Sequence, residues 1–268
     1  MGQVYVTGDT HGDFKRIKQF CTDFNTSKDD VLIILGDSGI NYYLNYRDRN
    51  LKQYIAKLPI TLFVIRGNHD CPLVDIANLK TWHSELFFEN EVIVEDDYPN
   101  IKYALDGYDY DIPAGDTFYH AIVIGGAYSV DKEYRLLRGW SWFEQEQLTS
   151  DEMEEIYDYM LWLSENNPID CILSHTCPLD LQPVDLFMGG IDSSKVDNKM
   201  EKFFNRVFYN IPHKAWLFGH YHADRYYNPK DRYCDLKDKK VMMLFSEIVN
   251  LADFMTLSRE AFMFNGGE

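Results

Sequence analysis

Five short segments of the chain end in residues that bind metals or move protons. Asp9 and His11 close the first, in Gly8-Asp9-Thr10-His11, and Asp37 closes the second, in Gly36-Asp37. The third runs into Gly67-Asn68-His69-Asp70, the fourth into Ser174-His175, and the fifth into Gly219-His220-Tyr221-His222. Asp9, His11, Asp37, Asn68, His175, His220 and His222 supply mixed oxygen and nitrogen donors, and no Cys-x-x-Cys pair accompanies them. That set is too large for one tetrahedral zinc. Two cations about 3.5–4 Å apart that share a carboxylate would use it and still leave positions for water and substrate. Such a pair acidifies a bridging water to hydroxide and clamps phosphoryl oxygens while charge develops.

The segments that carry these residues read as strands. Val4–Val6, Val31–Leu35, Leu62–Ile65, Cys171–Leu173 and Ala215–Phe218 are continuous apolar runs, the pattern of strands buried on both faces. Ala121–Ile124 and Val241–Phe245 add two more. Helical spacing runs from Phe14 to Phe24, with Ile17, Phe20 and Cys21 on its apolar side, and from Tyr46 to Leu58, stopping before Pro59. Thr149 and Glu152 have the spacing of a capping box for a helix that reaches toward Pro168. A fourth helix is expected over Ser194–Phe208. The first part therefore alternates strand and helix, which implies right-handed parallel crossovers. From Leu86 to Ile124 strands follow one another, so a mixed or second sheet is expected. Ligands of open α/β sheets bind outside the carboxyl ends of the strands, the address where all five segments end.

Composition narrows the function classes. The 268 residues hold 26 Lys and Arg against 43 Asp and Glu, a net charge of −17, which argues against binding long nucleic acid or an anionic membrane surface. Hydrophobic residues make up 46%, enough for a large core. No repeat or long linker breaks the chain, so one domain is expected over residues 1–268. The five cysteines (Cys21, Cys71, Cys171, Cys177, Cys234) are scattered and read as reduced thiols. With no basic-then-apolar leader at Met1, the expected location is the cytoplasm.

The five blocks together resemble the calcineurin-like metallophosphoesterase superfamily. Its pattern of D-x-H, G-D, G-N-H-[DE], H and G-H-x-H stands here in order between Asp9 and His222, with no ligand missing. The resemblance implies a four-layer α/β/β/α sandwich of two mixed sheets with the metals at the strand carboxyl ends. It implies that Asp9, His11 and His222 hold one divalent ion and Asn68, His175 and His220 the other, with Asp37 bridging. Manganese is the first expectation, with iron, zinc or nickel as alternatives. The resemblance makes His69 the group that contacts the phosphate and protonates the leaving oxygen, and Asp70 the carboxylate that orients His69. Asn68 is also a candidate substrate contact.

Phosphoprotein phosphatases of this superfamily continue G-D-x-x-D-R-G, whereas here Gly36-Asp37-Ser38-Gly39-Ile40-Asn41 carries neither the second aspartate nor the arginine. A small phosphomonoester or phosphodiester is therefore favoured over a phosphoprotein substrate. The stretch Gly125–Arg135 followed by Trp140-Ser141-Trp142 looks like a segment of small bacterial and phage metallophosphoesterases. Arg135 is the candidate phosphate contact in it; the competing reading is a surface helix whose arginines pair with nearby acids. Tyr42, Tyr43, Trp140 and Trp142 offer an aromatic wall, or simply core. His83 is expected in a helix, His120 at a strand start and His213 in a loop, none of them ligands. A third reading keeps the fold as a catalytically idle protein-binding scaffold.

Overall fold

The structure is a computed structural model that describes residues 2–76, 81–187, 195–228, 236, 238–258 and 260–262. Ser194 and Cys234 lie outside the described residues. The chain order is β1 (Val4–Thr7), α1 (Lys15–Asp23), β2 (Val31–Leu35), α2 (Tyr46–Ile55) and β3 (Thr61–Ile65). Five strands follow: β4 (Trp82–Phe87), β5 (Asn90–Glu95), β6 (Ile101–Ala104), β7 (Asp109–Ala114) and β8 (Thr117–Ile124). Then come α3 (Lys132–Arg138), α4 (Ser150–Asn166), β9 (Ile169–Ser174), α5 (Lys199–Asn210) and β10 (His213–Phe218). The last elements are β11 (Arg225–Tyr226), β12 (Lys240–Met243), β13 (Ile248–Asn250) and α6 (Leu251–Thr256).

Two mixed sheets result, in the orders β13-β1-β2-β3-β6-β5-β4 and β11-β12-β10-β9-β8-β7. β1, β2, β3 and β6 run parallel in the first, and β8, β9, β10 and β12 in the second, while hairpin partners and β13 pair antiparallel at the margins. The helix-free run of strands thus divides between the sheets, β4 to β6 joining the first and β7 and β8 the second.

Side-chain alternation explains the layers. In β2, Leu32 and Ile34 face α1 and α2, packing with Phe14, Ile17 and Ile55, while Val31, Ile33 and Leu35 face the other sheet. In β10, Trp216 and Phe218 pack toward α4 and α5, and Ala215 and Leu217 turn inward to meet the first sheet. Both faces of each central strand are therefore buried, and each fully buried aliphatic side chain contributes roughly 1.5–3 kcal/mol. Helices on both outer faces complete the α/β/β/α sandwich.

The predicted capping box is present: Thr149 N donates to Glu152 Oε2 at 2.7 Å and Glu152 N donates to Thr149 Oγ1 at 3.2 Å. Its acidic residues Asp151, Glu154, Glu155 and Asp158 form the solvated face of α4. Some expectations are corrected. His83 lies on edge strand β4, not on a helix, because Trp82–Phe87 pairs residue for residue with β5, and its Nδ1 meets Asp96 at 2.6 Å. His120 sits inside β8, with Nδ1 2.8 Å from Asp111, and His213 opens β10 rather than lying in a loop. α2 ends at Ile55 and α5 begins at Lys199, each shorter than expected at one end.

Candidate metal centre

The carboxyl ends of β1, β2 and β3 meet those of β9 and β10 across the sheet interface, and the five sequence blocks converge there. Donor atoms of Asp9, His11 and His222 lie within 4.8 Å of one another, as do those of Asp9, Asp37 and His175, and those of His11, Asp37 and His69. His11 Nε2 and His222 Nε2 are 2.8 Å apart, with Asp9 Oδ2 3.6 and 3.2 Å from them. On the other side, His175 Nε2 lies 2.9 Å from Asn68 Oδ1 and 3.6 Å from Asp37 Oδ1. His220 places its ring 4.9 Å from the His175 ring, while its backbone N–H donates to Asp9 Oδ1 at 2.9 Å.

The backbone is bent to achieve this. His11, Asp37, His220 and His222 all adopt left-handed φ values of 45°, 47°, 69° and 52°, a conformation that costs non-glycine residues energy and persists where surroundings enforce it. Gly36 and Gly67 allow the close approach. A Cβ on Gly36 would stand 2.1 Å from His175 Nδ1, and one on Gly67 would stand 2.0 Å from Asp37 Oδ1. Arg16 on α1 ties the first block down, donating to the Gly8 and Asp9 carbonyls at 3.2 and 2.9 Å and to the Phe245 carbonyl. Nothing in the sequence marks Arg16 for this.

The donor set fits divalent cations on the protein's own chemistry. His175 Nδ1 donates to the Leu35 carbonyl at 2.7 Å, which leaves Nε2 as the atom facing Asn68 and Asp37. Asn68 Nδ2 donates to Ser129 Oγ at 2.9 Å, so its Oδ1 is the atom turned toward His175. A nitrogen lone pair and two oxygens facing one another need a proton or a cation between them. Without a cation the proton is held: burial pulls His175 down, but the Asp37 and Asp9 carboxylates outweigh it and its pKa is pushed up to about 9. Buried Asp9 Oδ2 has no hydrogen-bond partner among the described residues, an orphan that a cation beside His11 and His222 would satisfy. Burial would raise Asp37, yet His175 and His69 hold it well below the usual carboxylate range. His220 is pushed down to about 3, by burial first and then by the charge on His175, so it stays neutral with a lone pair to offer.

His69 stands at the mouth. Its backbone N–H donates to Asp37 Oδ1 at 2.8 Å, and its Nδ1 lies 3.5 Å from Asp37 Oδ2 and 3.3 Å from Arg135 Nη2. Burial, then Arg135, lower its pKa against the pull of Asp37. Asp70 is not its orienting partner. The Asp70 carboxylate accepts from the backbone N–H groups of Ser38, Gly39 and Gly67 and from Ser38 Oγ, all at 3.1 Å. It therefore joins the turns after β2 and β3, and holds Asp37 and Asn68 in register rather than His69.

Arg135 reaches the site from α3. Its Nε pairs with Asp131 at 2.7 Å, the local ion pair expected of a surface helix, yet the side chain is buried and Nη1 donates to Tyr42 Oη at 2.9 Å. The ion-pair reading is met, and the same side chain stands beside His69 at the mouth. Trp140 packs edge-on to Tyr134 and is half exposed, and Trp142 donates to Glu146; neither belongs to the mouth, whereas Tyr42 and Tyr43 do.

Behind the histidines lies a polar cluster that the sequence did not announce. Thr176 Oγ1 donates to Glu201 Oε1 at 2.8 Å and lies 3.0 Å from Tyr221 Oη, which also accepts from Gln182 Nε2 at 3.3 Å. The only signal was adjacency: Thr176 follows His175, and Tyr221 stands between His220 and His222.

A family model described as calcineurin-like phosphoesterase matches residues 2–224. No curated protein matches the sequence. Among solved structures the chain is similar to TT1561 of Thermus thermophilus, at 11% identity and a TM-score of 0.53, covering 95% of this chain and 96% of that one. It is also similar to the phosphopantetheinyl hydrolase PptH from Mycobacterium tuberculosis, at 12% identity and a TM-score of 0.47, covering 91% and 89%. At 11% identity the likeness to TT1561 concerns the fold alone. Among the described residues, no helix is long and apolar enough to cross a membrane.

Proposed function

The chain belongs to the calcineurin-like phosphoesterase family, and on that premise we propose that it is a binuclear metal-dependent hydrolase of small phosphate esters. The observation that carries the reading is the convergence of Asp9, His11, Asp37, His175 and His222 on a mouth guarded by His69 and Arg135. Asp9, His11 and His222 would hold one divalent ion and Asn68, His175 and His220 the other, with Asp37 between. Bound there, the two ions would acidify the attacking water and neutralise phosphoryl oxygens.

The chain's own groups supply the rest. Arg135, fixed by Asp131 and Tyr42, presents a guanidinium edge for a phosphoryl oxygen. With Nδ1 accepting from Arg135, a neutral His69 carries its proton on Nε2. Hydrolysis forms a P–O bond to the water oxygen and breaks the ester P–O bond; the departing oxygen takes up the proton that the water gives up, while the His69 Nε2–H hydrogen-bonds to that oxygen as its charge develops. Asp70 keeps the Asp37 turn against Gly67 throughout.

The test compares a nitrophenyl phosphomonoester with the bis-nitrophenyl diester in manganese, using Asp37→Asn as control. Turnover of either, cut by orders of magnitude in the variant, supports the reading. Equal turnover in Asp37→Asn would place the chemistry elsewhere, and a native protein that binds no metal would turn the reading toward a scaffold.

A further inference from the structure

A cleft of about 550 Å³ opens from His11 and His69 toward α2. Tyr42 stands with its ring centre 6.0 Å from that of His69, and Tyr43 meets Tyr42 edge-on at 4.8 Å. Arg47 lays its guanidinium 4.8 Å from the Tyr43 ring centre. Tyr43 is 45% exposed, so its ring is not there to fill a core.

This wall is held rigid. The buried Asp48 carboxylate accepts from Tyr43 N at 3.1 Å and from Leu44 N at 2.6 Å. Asn45 Oδ1 accepts from Arg47 N at 2.9 Å as α2 begins, and Leu44 is fixed in left-handed backbone with φ 52°. The loop therefore presents two phenol rings and a cation to solvent in one conformation, beside the reactive end. Preorganised tyrosines give contact area at low entropic cost, the property that makes them recognition residues.

We propose that this cleft selects phosphoesters whose leaving group carries a planar ring separated from phosphorus by a short spacer, a nucleoside phosphate being the class that fits. The inference rests on the hydrolase reading, in that it seats the phosphoryl group at His69 and Arg135. Placement argues for the spacer: Tyr43 makes ring contact with Tyr42 and, among the described residues, none with His69, so the exposed ring is one contact removed from the reactive end. Chemistry argues for the ring. A phenol face with a guanidinium beside it stacks planar π systems with little regard to which base is offered. A phosphopeptide fits less well, because the carboxylate of the wall is already engaged: Asp48 binds the backbone of its own loop.

The experiment uses the full chain with manganese and compares adenosine 5′-phosphate with glycerol phosphate, which has no ring. The expected result is a kcat/KM at least tenfold higher for the nucleotide, with the difference in KM. Tyr43→Ala and Arg47→Ala should each narrow that ratio at least threefold, again through KM. Equal kcat/KM for the two substrates in the native protein, or a ratio that neither substitution moves, overturns the proposal. Calorimetric titration with adenosine, which has no ester to hydrolyse, separates it from the hydrolase reading. Binding of adenosine that weakens in Tyr43→Ala supports the cleft even if no phosphate ester is turned over. Turnover of both esters with no adenosine binding would sink the cleft and spare the hydrolase.

Discussion

Arg135 Nη2 lies 3.3 Å from His69 Nδ1, so a guanidinium borne on α3 meets the imidazole that follows Asn68. The two residues stand 66 positions apart in the chain. The phosphoprotein-phosphatase pattern would carry an arginine on the turn after Asp37. In this protein the arginine at the mouth comes instead from a helix, clamped by Asp131 and Tyr42.

That geometry makes the guanidinium fork matter and not merely its charge. Arg135→Lys keeps a cation but loses the simultaneous contacts to Asp131, Tyr42 and His69, so kcat/KM for phosphoester hydrolysis should fall roughly 10–100-fold. Steady-state kinetics on the better nitrophenyl ester check this, alongside a thermal melt. Kinetics of Arg135→Lys within twofold of native would show that the arginine serves α3 alone.

Tyr221 should tune metal affinity without touching a metal. Its hydroxyl meets Thr176, Gln182 and the Cys177 thiol, and it sits between His220 and His222, whose backbones are both left-handed. Tyr221→Phe keeps the ring against Phe187 and removes only those polar contacts. Loss of an outer contact of this kind costs about 10-fold or more in affinity. Manganese titration of the chelator-stripped protein by calorimetry gives the number, and an unchanged dissociation constant would assign the cluster to packing alone.

Glu201 gives the fold a pH dependence of definite sign. Burial, then the nearby Asp197 charge, outweigh the Thr176 hydrogen bond and push its pKa up from 4.5 to about 7. Its Oε2 has no partner among the described residues. Between those two pH values the folded protein holds a proton that the unfolded chain releases. This contribution therefore favours the fold at low pH and is lost as pH rises through about 7. At about 1.4 kcal/mol per pKa unit the loss is of order 3–4 kcal/mol. Glu201→Gln should melt close to native at pH 5 and several degrees above it at pH 8.5. A difference in melting temperature that does not change with pH would contradict this.

The strands and the chemistry were legible for one reason: continuous apolar runs ending in Gly-Asp, Gly-Asn-His or Gly-His-x-His carry both signals in the same few residues. Val31–Leu35 followed by Gly36-Asp37 is such a case, and Gly36 has no room for a Cβ beside His175. Contacts made by side chains far apart in sequence were not legible. Asp70 adjoins His69 but serves the turn of Ser38 and Gly39, and which neighbour a carboxylate chooses depends on where two loops meet. His83 lies on a strand whose sequence, Trp82-His83-Ser84-Glu85-Leu86-Phe87, shows no polar–apolar alternation, and six residues are too few to tell an edge strand from a helical turn. Arg16 carries no local mark at all, since its partners include the carbonyl of Phe245.

The pairing of β13 with β1 sets an order of events. Tyr5, Val6 and Thr7 pair with Asn250, Val249 and Ile248, while Arg16 grips Phe245 from the side. The strand that delivers Asp9 and His11 is synthesised long before the residues near position 250 that seal its outer edge. Until those residues emerge, a nascent chain carries β1 with one row of amides and carbonyls open, a template for unwanted strand addition. The contacts that close it span most of the sequence, so this edge is expected to settle late and slowly. For a growing polypeptide, the candidate site is therefore supported only once the residues near position 250 have emerged, however many of the five blocks precede them.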